Sequence, residues 1–222
     1  MLDPLRIDLP EFLTSWYGPP ENGPGRPAAE ASWLPGPLRE WFALADRWPG
    51  LRAGPSRVYE PSRIRVEDGR AVFLEDPTGD WRWSFDAREQ RRVYEGEPGR
   101  PWHDVREELP EFLVHLTLAE TVASAGSGRL FDQAPDETLP VLLAPMREVA
   151  FGGWRWPRPG YRIFLGDSLV ANVGPAVDPR APWQNRAGYS AVRITAARPP
   201  ALGYLDGAAA GTWIDLGEVE RD

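Results

Sequence analysis

The sequence has no cysteine and no lysine, and it contains only two histidines. Without cysteine there is no disulfide, no thiolate nucleophile and no cysteine-based zinc site. Without lysine there is no P-loop lysine and no Schiff-base nucleophile. No stretch approaches 18 apolar residues, so no membrane-spanning segment is expected, and Met1–Pro4 is not typical of a signal peptide. These absences favour a cytoplasmic protein that needs no disulfide.

Positive charge is also scarce. The chain has 25 arginines against 33 acidic residues, which gives a net charge of −8. Binding to a phosphate backbone needs clustered basic residues, so nucleic acid is not an expected partner. An acidic surface attracts a basic partner over long range, although the same charge also serves solubility alone.

What the chain has in abundance is aromatic side chains and turn residues. Its 222 residues are enough for one large domain or two small lobes. Eleven tryptophans, eight phenylalanines and six tyrosines supply large apolar areas for a core. The 25 prolines and 22 glycines indicate short elements joined by sharp turns.

The stretch Val72–Phe85 predicts a β-hairpin around which the rest of the chain is organised. Apolar residues alternate along both arms, with Trp81 and Trp83 on the second arm. Asp76–Gly79 between the arms reads Asp-Pro-Thr-Gly, in which the aspartate can bond the backbone ahead of it and the proline presets φ.

Helices are predicted on both sides of this hairpin. Apolar stripes with helical spacing occur at 9–16, at 38–48 and at about 107–124. Residues 64–94 alternate like a meander of about four antiparallel strands. The region 1–125 is therefore predicted to be an α+β domain with a central antiparallel sheet flanked by helices.

A smaller β-rich segment is predicted to follow this domain. Residues 126–136 are interpreted as a linker because the run Ala-Gly-Ser-Gly lies at their start. Beyond them, 137–222 reads as an accessory segment with several strands, one of them at 154–156. A helix is indicated at 139–149, and Pro145 is expected to kink or shorten it.

The sequence Gly-Asp-Ser-Leu at 166–169 spells the block that gives the GDSL esterases their name. A nucleophilic Ser168 would need a positioned imidazole to take its proton. In that family the histidine follows the serine, whereas His103 and His115 both precede it here. The flanking alternation instead predicts a hairpin turn.

The two histidines are predicted to be structural. His103 is expected at a helix entrance beside Asp104, and His115 is expected at the edge of the third helix's apolar stripe, as a hydrogen-bonded core residue. Their spacing matches no metal-ligand pattern. No catalytic residue, metal ligand or cofactor site is predicted.

Acidic residues bracket the hairpin turn. Paired carboxylates can serve as acid and base or bind calcium, but the EF-hand order of ligands is missing. A solvated or partner-binding acidic tip is the better interpretation. Aromatic residues and arginine within a polar rim are typical interface anchors, although alternation also allows a core position for Trp81. The predicted partner-binding residues are Glu75, Asp76, Asp80, Trp81 and Arg82.

The order of these elements resembles the SUKH superfamily, which contains the cell-wall assembly regulator (SMI/KNR-type) domains. An N-terminal helix running into Trp16-Tyr17-Gly18 is similar to the entry of that family. The acidic-aromatic segment 73–86 is similar too, as is the later Leu-Pro-Glu-Phe-Leu helix at 109–113. The resemblance covers about residues 8–124, and the Pro-rich stretch 19–37 and the C-terminal segment depart from it.

The resemblance implies an α+β domain with a central antiparallel sheet. In bacteria such domains often act as immunity proteins that bind a cognate toxin, commonly a nuclease or deaminase. The expected function is therefore that of a non-enzymatic protein-binding module, an immunity protein that neutralises a basic toxin and exists as a monomer or weak dimer. The alternatives are an interaction or regulatory scaffold without a toxin, and a serine hydrolase that uses Ser168.

Overall fold

Two antiparallel sheets and the helices packed on them form the α+β fold. The computed structural model describes residues 1–23, 32–207 and 213–216. Within these residues no helix is both long and apolar enough to cross a membrane. The predicted fold class is confirmed.

The first sheet is a meander built around the predicted hairpin. β1 and β2 both pair with β3, and β3, β4, β5 and β6 follow in chain order. Across the hairpin, Leu74 pairs with Trp83, and a register shift between Val72 and Leu74 makes Ala71, not Val72, the partner of Phe85. His103 lies in β6 and not at a helix entrance, so that prediction is wrong. The strands are β1 (Arg57–Val58), β2 (Arg65–Glu67), β3 (Arg70–Glu75), β4 (Arg82–Asp86), β5 (Arg92–Gly96) and β6 (His103–Glu108).

Three helices accompany this sheet: α1 (Leu9–Tyr17), α2 (Gly36–Arg47) and α3 (Leu109–Ser124). The side chain of Asp8 caps α1 by accepting the Glu11 amide at 3.0 Å. A capping box of Glu108 and Glu111 begins α3 directly after β6.

The second sheet contains the C-terminal strands in the order β12-β7-β11-β10-β9-β8. Its longest strands, β10 and β11, form a hairpin that projects past Pro175. The elements are β7 (Gly128–Pro135), α4 (Leu139–Leu142), β8 (Arg147–Glu148), β9 (Arg162–Leu165), β10 (Leu169–Asp178), β11 (Ala181–Ala196) and β12 (Ile214–Leu216).

Two local predictions in this half are corrected and a third is confirmed. Most of the predicted linker 126–136 is strand β7, in which Gly128 pairs with Thr195. The helix indicated at 139–149 is shortened, as expected from Pro145: it ends at Leu142, and residues 143–145 form a turn. Residues 154–156 form no strand.

Helix α3 lies between the two sheets and is buried on nearly all sides. It contacts α2 and β5 of the first half and β9, β10 and β11 of the second. One core cluster accordingly contains Leu116 and Phe73 together with Ile163 and Val170. The predicted boundary at residue 125 therefore crosses a shared core. A second cluster, with Leu142 and Leu205, covers the other face of the second sheet.

Candidate functional site

The turn of the β3–β4 hairpin is closed from inside by Asp76. Its carboxylate accepts the Trp81 amide at 2.7 Å, the Thr78 amide at 3.2 Å and the Thr78 hydroxyl at 2.6 Å. Burial raises the pKa of this carboxyl, but these hydrogen bonds outweigh burial and leave the pKa below its ordinary value. Only 1% of Asp76 is exposed. It holds the turn and presents no surface to a partner.

Glu75 is likewise turned toward its own chain. It is 6% exposed and lies 3.0 Å from the Arg57 guanidinium. The hydroxyl of Tyr59 donates to its other oxygen, which also lies 3.6 Å from Nε of Arg82. Two of the five predicted contact residues, Glu75 and Asp76, therefore organise the hairpin from within, and Arg82 is partly engaged by one of them.

Asp80 and Trp81, in contrast, open onto a surface depression. Asp80 is exposed, and Trp81 is half-buried with its ring packed against the core. With Glu97, Pro98 and Trp156 they line an open hollow of about 460 Å³. We call these five residues the acidic–aromatic groove. Trp81 thus has both a core position and a surface position, since one part of its side chain packs against the core and another part lines the groove.

A buried carboxylate fixes the walls of the groove. Glu95 on β5 is 1% exposed and accepts the Trp81 indole N–H at 3.2 Å. It also accepts the Arg155 amide at 2.9 Å, next to Trp156 in the chain. Burial raises the pKa of Glu95 above its ordinary value. The indole of Trp156 meets Trp83 edge-on, with ring centroids 5.8 Å apart.

The chemistry of the groove suits a basic side chain. Asp80 and Glu97 place two exposed carboxylates beside two indole rings. Arg100 lies 3.9 Å from Glu97, but an ion pair this exposed contributes little and is easily exchanged. Carboxylates bond a guanidinium or ammonium group, and an indole face attracts the same cation.

Sequence reasoning did not find Glu97, Trp156 or the exposed Trp183. Trp183 lies on the projecting part of β11 and is 77% exposed. Arg158 donates to the Pro182 carbonyl at 2.6 Å, which brings this tip close to the segment that carries Trp156. The sequence signal for an exposed Trp183 is its position among polar residues, in Pro-Trp-Gln-Asn, where apolar residues do not alternate.

The other sequence-derived candidates lie apart. Ser168 is in the turn between β9 and β10, where Leu165 pairs with Val170, so the predicted hairpin turn is confirmed. Within the described residues no hydrogen bond joins its side chain to a histidine, and no group of three or more His, Asp or Glu could hold a metal ion. His115 is buried, as predicted, and its Nδ1 lies 2.9 Å from Glu107.

Comparison of the chain with protein-family models, with curated proteins and with solved structures finds no match. The resemblance to the SUKH superfamily therefore stays a prediction.

Proposed function

We propose that this chain is a non-enzymatic protein-binding module that acts in the cytoplasm as an immunity protein, binding and neutralising a cognate toxin with a basic surface. The observation that carries the proposal is the acidic–aromatic groove, in which Asp80 and Glu97 flank the indoles of Trp81 and Trp156. The net charge of −8 and the SUKH resemblance favour the same function.

Recognition would rest on an arginine or lysine of the toxin. Such a side chain stacks on an indole while its charged end bonds Asp80 or Glu97. A cation over an indole contributes about 0.5–2 kcal/mol, depending on how completely it is desolvated. A nuclease or nucleic-acid deaminase binds its substrate through basic residues, so an acidic groove that covers those residues would also block the substrate.

The groove is suited to this role because its walls are already in place. Glu95 holds the Trp81 indole and the Arg155 backbone through hydrogen bonds of 3.2 and 2.9 Å. Side chains that are fixed before binding lose little conformational entropy when the partner docks.

The proposed interface extends to Trp183. A stable interface usually buries about 800 Å² on each partner, which is more than one hollow supplies. Exposed tryptophan is a frequent energetic anchor of interfaces. Because Arg158 bonds the residue before Trp183, the projecting hairpin and the groove form adjoining parts of one surface.

The test is affinity purification of the tagged chain from its native host, with bound proteins identified by mass spectrometry. It compares the wild type with a double charge reversal, Asp80→Arg with Glu97→Arg. Asp167→Arg is the matched control, since Asp167 is also exposed but lies in the β9–β10 turn. We expect one stoichiometric toxin-like protein with the wild type and the control, and its loss with the double reversal.

The recovered protein is then purified and titrated. We expect the double reversal to weaken binding by about tenfold or more, and salt to weaken wild-type binding, as electrostatic complementarity requires. Coexpression should rescue growth from the toxin only with the wild type and the control. Unchanged binding by the double reversal would remove the groove from the interface, and recovery of host proteins without any toxin would favour the scaffold alternative.

A further inference from the structure

A cavity of about 100 Å³ lies beside α3, between that helix, β10 and the segment that follows β8. Its polar lining comes from His115 and Glu120 of α3, Asn172 of β10 and Ser56 of the first half. Its apolar lining includes Trp154, Trp156 and Tyr161. Trp156 also lines the groove, whereas the polar residues of the cavity do not.

The imidazole of His115 is held in one orientation. It stacks on Phe151 with ring centroids 4.1 Å apart and planes 9° apart, and it contacts Trp154 at the same centroid distance. Nδ1 lies 2.9 and 3.2 Å from the two oxygens of Glu107, so Nδ1 carries the proton. Glu107 also accepts the Gly153 amide at 3.2 Å. In the neutral ring Nε2 is then a hydrogen-bond acceptor, and within the described residues it has no donor.

Glu120 is a buried carboxyl without a cation. It is 6% exposed and its Oε2 accepts the Ser56 amide at 3.3 Å. No arginine or histidine of the described chain lies within ion-pair distance of it. Burial without a compensating charge raises the pKa of Glu120. A cation in the cavity would supply the charge that this carboxyl lacks.

Two more lining residues have unused hydrogen-bonding capacity. Oδ1 of Asn172 and Nε1 of Trp154 are both buried and have no partner among the described residues. Buried polar atoms are nearly always hydrogen-bonded in native proteins, so each such atom needs an explanation. A bound molecule with several N–H groups would satisfy Oδ1 of Asn172 but not Nε1 of Trp154, which is itself a donor. Together with Nε2 of His115 and the Glu120 carboxylate, Asn172 gives such a molecule three acceptors.

We propose that this cavity binds a small planar organic cation of the guanidinium or amidinium class. The three acceptors match a ligand that is rich in donors and has no acceptor, and Glu120 matches its charge. The rings of Trp154, Trp156 and Tyr161 favour a flat, delocalised cation over a strongly hydrated ammonium. A volume of about 100 Å³ admits a group of only a few heavy atoms.

The proposal is tested by titrating the full chain with methylguanidine at pH 7.5 and following binding by calorimetry. N-Methylurea, which has the same shape but no charge, is the matched ligand control. We expect saturable binding of methylguanidine and none of methylurea. Glu120→Gln keeps an acceptor for the Ser56 amide but removes the charge, and it should weaken binding by about tenfold or more. Asp167→Asn, at an exposed position in the β9–β10 turn, should bind like the wild type.

A second measurement reports the position of the ligand. The chain has only two histidines, so His103→Gln assigns the ring signals of His115 in the NMR spectrum. Methylguanidine should shift the His115 signals and leave those of His103 in place. Absence of saturable binding, equal binding of methylurea, unchanged affinity of Glu120→Gln or an unmoved His115 signal would each overturn the proposal, and none of these results depends on a toxin partner.

Discussion

Glu95 of the first sheet accepts the backbone amide of Arg155, sixty residues later, at 2.9 Å. The same carboxylate accepts the Trp81 indole at 3.2 Å. One buried side chain thus joins the hairpin of the N-terminal half to the segment that carries Trp156. The groove is therefore a product of both halves of the chain, and its shape depends on how they pack.

The first prediction concerns this carboxylate. Glu95→Ala leaves the Arg155 amide and the Trp81 indole without their acceptor, and an unsatisfied buried donor costs about 1–3 kcal/mol. We expect the free energy of unfolding to fall by about that amount in urea denaturation. Glu97→Ala, in the same groove but exposed, should change it by less than about 0.5 kcal/mol. Equal effects of the two substitutions would contradict the anchoring role of Glu95.

The second prediction separates two neighbouring aspartates of the hairpin. Asp76→Ala removes the acceptor of the Trp81 and Thr78 amides and should lower the free energy of unfolding by about 1–3 kcal/mol. Asp80→Ala removes an exposed carboxylate and should leave stability unchanged within about 0.5 kcal/mol. The two variants are compared by urea denaturation at pH 7. A larger loss of unfolding free energy for Asp80→Ala than for Asp76→Ala would show that Asp76 is not the side chain that stabilises the turn.

The third prediction is a pH dependence that arises from Glu120. Burial raises its pKa in the folded state above the ordinary value of 4.5, so the folded protein binds this proton more tightly than the unfolded chain does. The stability it contributes is fully present below about pH 4.5 and is lost as pH rises through the folded pKa. Glu120→Gln should remove this loss, so the variant should gain stability relative to the wild type as pH rises.

This gain is measured as the difference in free energy of unfolding between Glu120→Gln and the wild type at several pH values. Taking the difference cancels the contributions of the other carboxyls to the pH dependence. Asp76 is one of them: because its pKa is lowered in the folded state, the stability that it contributes is lost as pH falls. A difference that is constant between pH 4 and 8 would show that Glu120 titrates as it does in the unfolded chain.

The sequence predicted the elements whose signals are local. The turn at Asp76–Gly79 and the apolar stripe of α3 were sufficient to place a hairpin and a helix correctly. The acidic residues around this turn predict a solvated or partner-binding tip that includes Glu75 and Asp76. Glu75 is instead buried beneath Arg57 and Tyr59, which reach it across the sheet. Asp76 is buried because backbone amides of the turn face it.

Glycine and serine at the start of β7 suggest flexibility and predict a linker there. Gly128 has a different role. A Cβ there would lie 2.9 Å from the Thr195 side chain and 3.0 Å from the Ile194 carbonyl, so glycine allows β7 to approach β11 closely. Glycine occurs both where a segment is flexible and where two strands approach closely. The sequence does not separate these two cases, because the difference lies in the position of the partner strand.

The fourth prediction uses a matched pair of glycines. A Cβ on Gly152 would lie 2.7 Å from the Arg106 carbonyl and 2.9 Å from the Val105 carbonyl, and backbone on both sides leaves little room to adjust. Gly152→Ala should therefore cost about 1–3 kcal/mol. Gly126→Ala is the control, since a Cβ on Gly126 would meet no atom of another described element within 4 Å. Thermal unfolding should show a lower Tm only for Gly152→Ala, and equal Tm values would mean that the segment packs less closely on β6.

The fifth prediction tests whether residues 1–125 form an independent domain. The core of α3 includes contacts with β9 and β10, and Trp154 stacks on Phe112 with ring centroids 5.0 Å apart. A fragment of residues 1–125 would expose this apolar face to water. We expect it to keep helical far-UV circular dichroism, lose its near-UV signal and bind ANS, as loosely packed states do.

The full chain is the reference for this fragment, and it should unfold in a single transition whether followed by tryptophan fluorescence or by far-UV circular dichroism. A full chain cleaved by a protease at a site introduced near Gly126 is the control, because both pieces are still present. If packing across α3 stabilises the fold, the cleaved pieces should stay together and retain the near-UV signal that the isolated fragment lacks. A sharp, independent transition of the isolated fragment would instead establish a boundary at residue 125, and the groove would then be an interface between two separable units.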